Sequence, residues 1–234
     1  MSHFITIPHA LFRIFLVVIF SFYHAHISVG AAGGSCQKFV ENDDGTVPAK
    51  NALIVRQGTK SESEYNTISD AVKALSKLNG PQSIFIFPGT YKGHMEIDYK
   101  APLLIQGYTR TPQSITENKV FVDVSLSLQQ AGSIAQSSGI WAKSSCFEMR
   151  NVNIRNSFGK GTDSQAVALT SGGEQQVFKR CLFSSYQDTL YVPSKRAYFY
   201  QCRIEGAVDF IFGAGTAWFE KVQIAVKAPD YTGV

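Results

Sequence analysis

Two carboxylates and two carboxamides recur in this 234-residue chain at nearly constant spacing. Gln165, Gln187 and Asp209 are separated by 22 and 22 residues, and Asp188 precedes Asp209 by 21. If that interval is one structural repeat, the four side chains gather on one face. With Tyr186, Tyr191, Phe210 and Phe212 beside them, they read as the lining of a carbohydrate cleft, because aromatic faces pack on sugar rings and amides donate hydrogen bonds. Any one of these residues alone would more often be structural, a glutamine in a turn or an aspartate capping a loop. Two near-equal intervals in register shift the reading toward function.

The elements that must position them are legible as a repeat. Four segments share an apolar residue, two spacers, an apolar residue or cysteine, one spacer and another apolar residue: Met149/Val152/Ile154, Phe178/Cys181/Phe183, Phe199/Cys202/Ile204 and Phe219/Val222/Ile224. The last three recur at 21 and 20 residues, and the first lies 29 residues earlier with extra loop between. Short strands at such a period, with no helix between them, predict the coils of a parallel β-helix. A leucine-rich horseshoe has a similar period, but its leucine-asparagine signature is absent. Equivalent residues of successive coils then lie about 4.8 Å apart. Cys181 is expected over Cys202, either as a disulfide or as a ladder of buried thiols.

Upstream, Ile68, Ala71, Val72 and Leu75 fall at helical spacing within Tyr65–Leu75, which predicts one short amphipathic helix. Ser83–Phe87 and Pro102–Ile105 read as strands, and no further helix is expected. The fold class is therefore all-β.

Bulk properties agree with one sizeable globular domain: 44% hydrophobic and 17% charged residues are unlike a disordered chain. The net charge of +4 is modest and its lysines and arginines are scattered, so no nucleic-acid partner is implied. The first thirty residues differ. An apolar run from Leu11 to Phe22 gives way to the small residues Gly30, Ala31 and Ala32, the pattern of a secretory signal peptide. About 20 apolar residues are needed to span a bilayer, and this run has twelve, so stable membrane insertion is not expected. The domain reading is a signal peptide over 1–32, a lead-in over 33–50 and the β-helix over 51–234. Four cysteines fit an oxidising compartment without demanding one, and Cys36 and Cys146 are expected to be unpaired.

Three blocks now become specific. Gln165-Ala-Val-Ala-Leu169, Ser185-Tyr-Gln-Asp-Thr-Leu-Tyr191 and Gly206-Ala-Val-Asp-Phe-Ile-Phe-Gly213, in that order and at those intervals, closely resemble the signature blocks of the pectin methylesterase (pectinesterase) family. The similarity extends from roughly Ile54 to the C-terminus. It takes in the Tyr65–Leu75 segment, Pro88-Gly-Thr-Tyr91 and Ile105-Gln-Gly107, and Ala217-Trp-Phe219 looks more like the microbial than the plant branch.

The resemblance implies a secreted, right-handed parallel β-helix enzyme of the cell wall that removes methyl esters from pectin and releases methanol. Asp209 would be the nucleophile, attacking the ester carbonyl to give an acyl-enzyme. Asp188 would protonate departing methanol and then activate water. Gln187, assisted by Gln165, would donate to the oxyanion of the tetrahedral intermediate. Tyr191 and Phe212 match positions lining the sugar subsites. No metal or organic cofactor is implied, and a monomer acting on homogalacturonan is expected.

The sequence departs from the family in one place. Members carry a Leu-Gly-Arg-Pro-Trp segment several coils after the nucleophile, whose arginine hydrogen-bonds the nucleophilic carboxylate, and this sequence reaches Val234 without it. Incompleteness at the C-terminus is the expectation. Two other readings stand beside the esterase: a pectate lyase or polygalacturonase on the same fold, and a pectin-binding β-helix without activity. The glutamine and aspartate blocks favour the esterase over the first, and retention of all four site residues favours it over the second.

Overall fold

The chain winds through three parallel sheets, with the coils between Gln82 and Phe212 contributing one strand to each, in a computed structural model that describes residues 36, 39, 44–159 and 164–228. The expected signal peptide and half of the lead-in lie outside the described residues. The first sheet has eight strands, stacked from Thr216–Glu220 through Arg196–Tyr200, Gln176–Lys179, Phe147–Arg150, Leu103–Gly107 and Gln82–Ile86 to Leu53–Val55 and Glu64–Tyr65. The second has six, from Gln223–Val226 through Arg203–Gly206, Leu182–Ser184, Asn153–Asn156 and Val120–Val124 to Gly89–Lys92. The third has five, from Ile211–Phe212 through Leu190–Tyr191, Leu169–Ser171 and Ile140–Ala142 to Met95–Ile97. This is the parallel β-helix that the repeat predicts.

The register follows the repeat residue by residue. Met149 pairs with Phe178, Phe178 with Phe199 and Phe199 with Phe219 in the first sheet. Ile154, Phe183, Ile204 and Ile224 do the same in the second. Stacking identical ring positions one strand spacing apart fills the core with near-parallel rings. Centroids are 4.9 Å apart for Phe178 and Phe199 and 5.1 Å for Phe199 and Phe219, within the range in which aromatic pairs attract.

Between the first two sheets the chain reverses within two residues. Asn151, Arg180, Gln201 and Lys221 each take a left-handed backbone there, with φ of 54°, 54°, 51° and 54°. Each sits two residues after a core position of the first sheet. Such a φ is costly for any residue but glycine, and its recurrence once per coil marks the corner as a demand of the fold.

The amphipathic helix spans Ile68–Ala74, capped by Thr67, whose hydroxyl accepts from the Asp70 amide, and buries Ile68 and Ala71 in the core. Tyr65 belongs to a strand and Leu75 opens a 3-10 turn. A second helix of one turn, Leu128–Ala131, was not expected. It is held by a capping box between Ser127 and Gln130 and ends at Gly132, φ 81°. Four residues are too few to leave a periodic signature.

The cysteine reading needs one correction. Cys36 and Cys146 are joined in a disulfide, with Cα atoms 5.2 Å apart and a sequence separation of 110. Cys181 and Cys202 are free and buried, each thiol within reach of a backbone carbonyl, Lys179 O at 3.3 Å and Phe178 O at 3.3 Å. They serve as small apolar rungs of the ladder that Val152 begins.

Candidate active site

The candidate residues gather at the corner between the second and third sheets. Gln165 bridges to Gln187 and Gln187 to Val208, while the Asp188 amide donates to Val208 O at 3.0 Å. One coil here is therefore 21 residues, so Gln187 faces Val208, and Asp188 and Asp209 hold equivalent places. Both aspartates adopt the same left-handed backbone, φ 64° and 45°. The 22-residue step from Gln187 to Asp209 is thus one residue out of register. The site has two ladders, an amide pair and a carboxylate pair, side by side.

The two carboxylates differ in environment. Asp188 is buried, 8% exposed, whereas Asp209 is exposed on the next coil. Burial, followed by the negative charge of Asp209, pushes the Asp188 carboxyl up to about 6. The arrangement therefore places a carboxyl that holds its proton in mildly acidic solution beside a second, solvent-facing carboxylate.

Local packing fixes the corner. Gly206 admits nothing larger, since a Cβ there would lie 2.2 Å from Phe210 Cβ and 2.7 Å from Thr189 Oγ1. Thr189 donates to Glu205 O at 2.8 Å. The Gln165 carbonyl accepts from the Leu128 amide at 2.8 Å, so the one-turn helix braces the amide ladder. Ser164, buried, donates its hydroxyl to Gln187 Oε1 at 2.9 Å. That bond engages the carboxamide oxygen and leaves the NH2 group as the free end. Ser164 was not singled out from the sequence; its adjacency to Gln165 in the preceding coil is the signal that points to it.

Tyr191 and Phe212 pair in the third sheet and stack with centroids 4.6 Å apart and ring planes 13° from parallel. They form an outward platform beside the carboxylates. Phe210 does not join it: it packs over Gly206 against the core, because it precedes an outward residue by two across a corner rather than along a strand. Tyr186 is half-buried, its carbonyl accepting from the Ala207 amide at 2.7 Å. Concavities of about 470 and 530 Å³ lie elsewhere, beside the disulfide and around Phe87 and Tyr108, and neither is lined by these residues. Among the described residues, no group of three or more His, Cys, Asp or Glu is placed to hold a metal ion.

Fold and site together define a parallel β-helix protein with an asymmetric carboxylate pair beside an aromatic platform on one face of its coils. Within that class the chain belongs to the pectinesterase family, whose profile matches residues 52–233. It is 41% identical over 171 residues to a probable pectinesterase A of Neosartorya fischeri, covering 73% of this chain and 52% of that protein. Among solved structures it resembles the pectin methylesterase from Aspergillus niger, with TM-score 0.73, 37% identity and coverage of 78% of this chain and 59% of that one. It also resembles a pectin methylesterase in complex with a hexasaccharide, with TM-score 0.66, 30% identity and coverage of 80% and 58%. Both named organisms are fungi, in keeping with the microbial look of Ala217-Trp-Phe219. The chain spans about half the length of the first of these relatives.

Proposed function

We propose that this chain carries the ester-hydrolysing site of a pectin methylesterase, which removes methyl esters from methylated polygalacturonate and releases methanol. The observation that carries the reading is the placement of Asp188 and Asp209 at equivalent positions of successive coils, with the Asp188 carboxyl buried and proton-holding. Asp209 attacks the ester carbonyl, and the oxyanion that forms takes hydrogen bonds from the free NH2 of Gln187 and from Gln165. As the tetrahedral intermediate collapses, the carbonyl–methoxy bond breaks and Asp188 gives its proton to the departing methoxy oxygen. An anhydride between Asp209 and the galacturonate remains. The ionised Asp188 then takes a proton from water, whose oxygen attacks the anhydride, freeing the uronate and restoring Asp209. Tyr191 and Phe212 support the sugar rings through their faces.

The same proposal includes export to the cell wall through the 1–32 leader and a β-helix domain over 51–234. The Cys36–Cys146 disulfide supports an oxidising destination. The test is methanol release from methylated homogalacturonan by the full-length protein carrying this sequence. Release is expected for the wild type and not for Asp209→Ala. Tight pectin binding without methanol release would leave a binding protein in place of the enzyme.

A further inference from the structure

One row of side chains runs unbroken up the outer face of the third sheet. Glu96 pairs with Trp141, Trp141 with Thr170, Thr170 with Tyr191 and Tyr191 with Phe212. Their strand neighbours Ile140, Leu169 and Leu190 are at most 1% exposed and point into the core, so this row faces outward. Trp141 therefore lies on the same face as the Tyr191–Phe212 platform, two coils away, or about 9.6 Å at one strand spacing per coil. Thr170, a much smaller side chain that is itself fully buried, occupies the rung between. Gly172 leaves room for the indole to lean toward the next coil, since a Cβ at that position would come within 3.3 Å of Trp141 Nε1.

Trp141 is accompanied by a cation. Lys143 Nζ sits 4.3 Å from the indole centroid and 3.0 Å from Glu96 Oε2, and Glu96 also lies 3.8 Å from His94 Nε2. Lys143 and Glu96 are each more than a third exposed by side chain, 35% and 39%. The ammonium is thus reachable from solvent and shared with one exposed carboxylate.

We propose that Trp141 and Lys143 form a distal subsite for a galacturonate unit whose carboxylate is free. The sugar ring packs on the indole as Lys143 turns from the ring face to meet the carboxylate, which takes a charge-assisted hydrogen bond from it. The proposal rests on the pectin reading above and adds to it a preference for demethylated sugar at this distance from the carboxylate pair. An ionised carboxylate gains from an ammonium what a methyl ester does not. Glu96 competes for the same cation, so the subsite is tuned by that residue as well as built by the other two.

The test is binding of two oligogalacturonates, one unmethylated and one fully methyl-esterified, to the full-length protein by calorimetry. The unmethylated oligomer offers no ester to cleave and is titrated into wild-type protein, whereas the esterified oligomer is titrated into the Asp209→Ala background, which does not consume it. Trp141→Ala should weaken binding of the unmethylated oligomer about tenfold. Lys143→Ala should weaken the unmethylated ligand about tenfold and the esterified one less than about twofold. Glu96→Gln should tighten the unmethylated ligand, and this exposed substitution leaves the fold untouched. Equal effects of Lys143→Ala on both ligands, or binding of the unmethylated oligomer unchanged in Trp141→Phe, Trp141→Ala and Lys143→Ala alike, overturn the subsite while leaving the esterase reading intact. Failure of the wild type and of the Asp209→Ala protein alike to bind their oligomers sinks the pectin reading itself, and the subsite with it.

Discussion

The coil that carries Asp188 and the coil that carries Asp209 are near copies in backbone. Each runs from the second sheet through a left-handed aspartate into the third, with Leu190 paired to Ile211 and Tyr191 to Phe212. They differ in what lies against them: Asp188 is buried within the stack and Asp209 is exposed. The repeat therefore sets one residue type in one conformation on successive coils, and burial gives the inner Asp188 carboxyl its own chemistry. Desolvation raises the buried one, and the charge of its neighbour raises it further.

The largest expected effect tests whether the two coils act as one unit. In a full-length active protein, Asp209→Ala and Asp188→Ala should each lower methanol release by at least about 10³-fold, and the double variant should be little worse than either. Additive losses would mean that the two carboxylates work independently and that the coils are not paired in the way their register implies.

The next effect is on stability. Asp188 holds its proton more tightly folded, at about 6, than unfolded, where the ordinary value is 3.8. The stability this represents is complete below pH 3.8 and is lost as pH rises through 6, so at neutral pH the ionised Asp188 is a destabilising group. Asp188→Asn should raise the unfolding free energy on the order of 1 to 3 kcal/mol at pH 7.5. The gain should disappear in melts at pH 3.5. Activity of the wild type should fall over the same rise through pH 6, because the first step consumes the Asp188 proton. A variant no more stable at pH 7.5 than at pH 3.5 relative to wild type would erase the contrast between the coils.

The smallest effect concerns Ser164, which sharpens the comparison by holding only the inner amide. Ser164→Ala removes one hydrogen bond to Gln187 and should lower kcat about five- to tenfold with KM nearly unchanged, as a net hydrogen bond of about 1 kcal/mol suggests. A rise in KM alone would assign Ser164 to substrate binding.

What the sequence reveals depends on whether a feature repeats. The Phe178–Phe199–Phe219 seam and the Cys181–Cys202 ladder were legible because burial imposes the same residue class on every coil at a fixed interval. The carboxylate pair was legible because the 21-residue coil sets Asp188 and Asp209 in equivalent places. Phe210 was misplaced because side chains stop alternating at a corner, where the backbone turns left-handed at Asp209 and the pleat is lost. The one-turn helix at Leu128–Ala131 and the bond from Ser164 to Gln187 arise from non-repeating excursions, which share no period with anything else. The Cys36–Cys146 pair escaped because closing a loop of 110 residues leaves no local trace at either end.

That pairing also bears on biosynthesis. Of the four cysteines in this sequence, the two that bond leave the ribosome before the two that stay reduced. The native cross-link can therefore form on a nascent chain before Cys181 and Cys202 exist to compete, sparing it the two of three fully paired connectivities that would separate Cys36 from Cys146. By the time Cys181 and Cys202 are made, their partners are already committed. Completing one further coil carries both thiols into the core, out of reach of disulfide exchange. Order of synthesis, as much as geometry, selects the pairing.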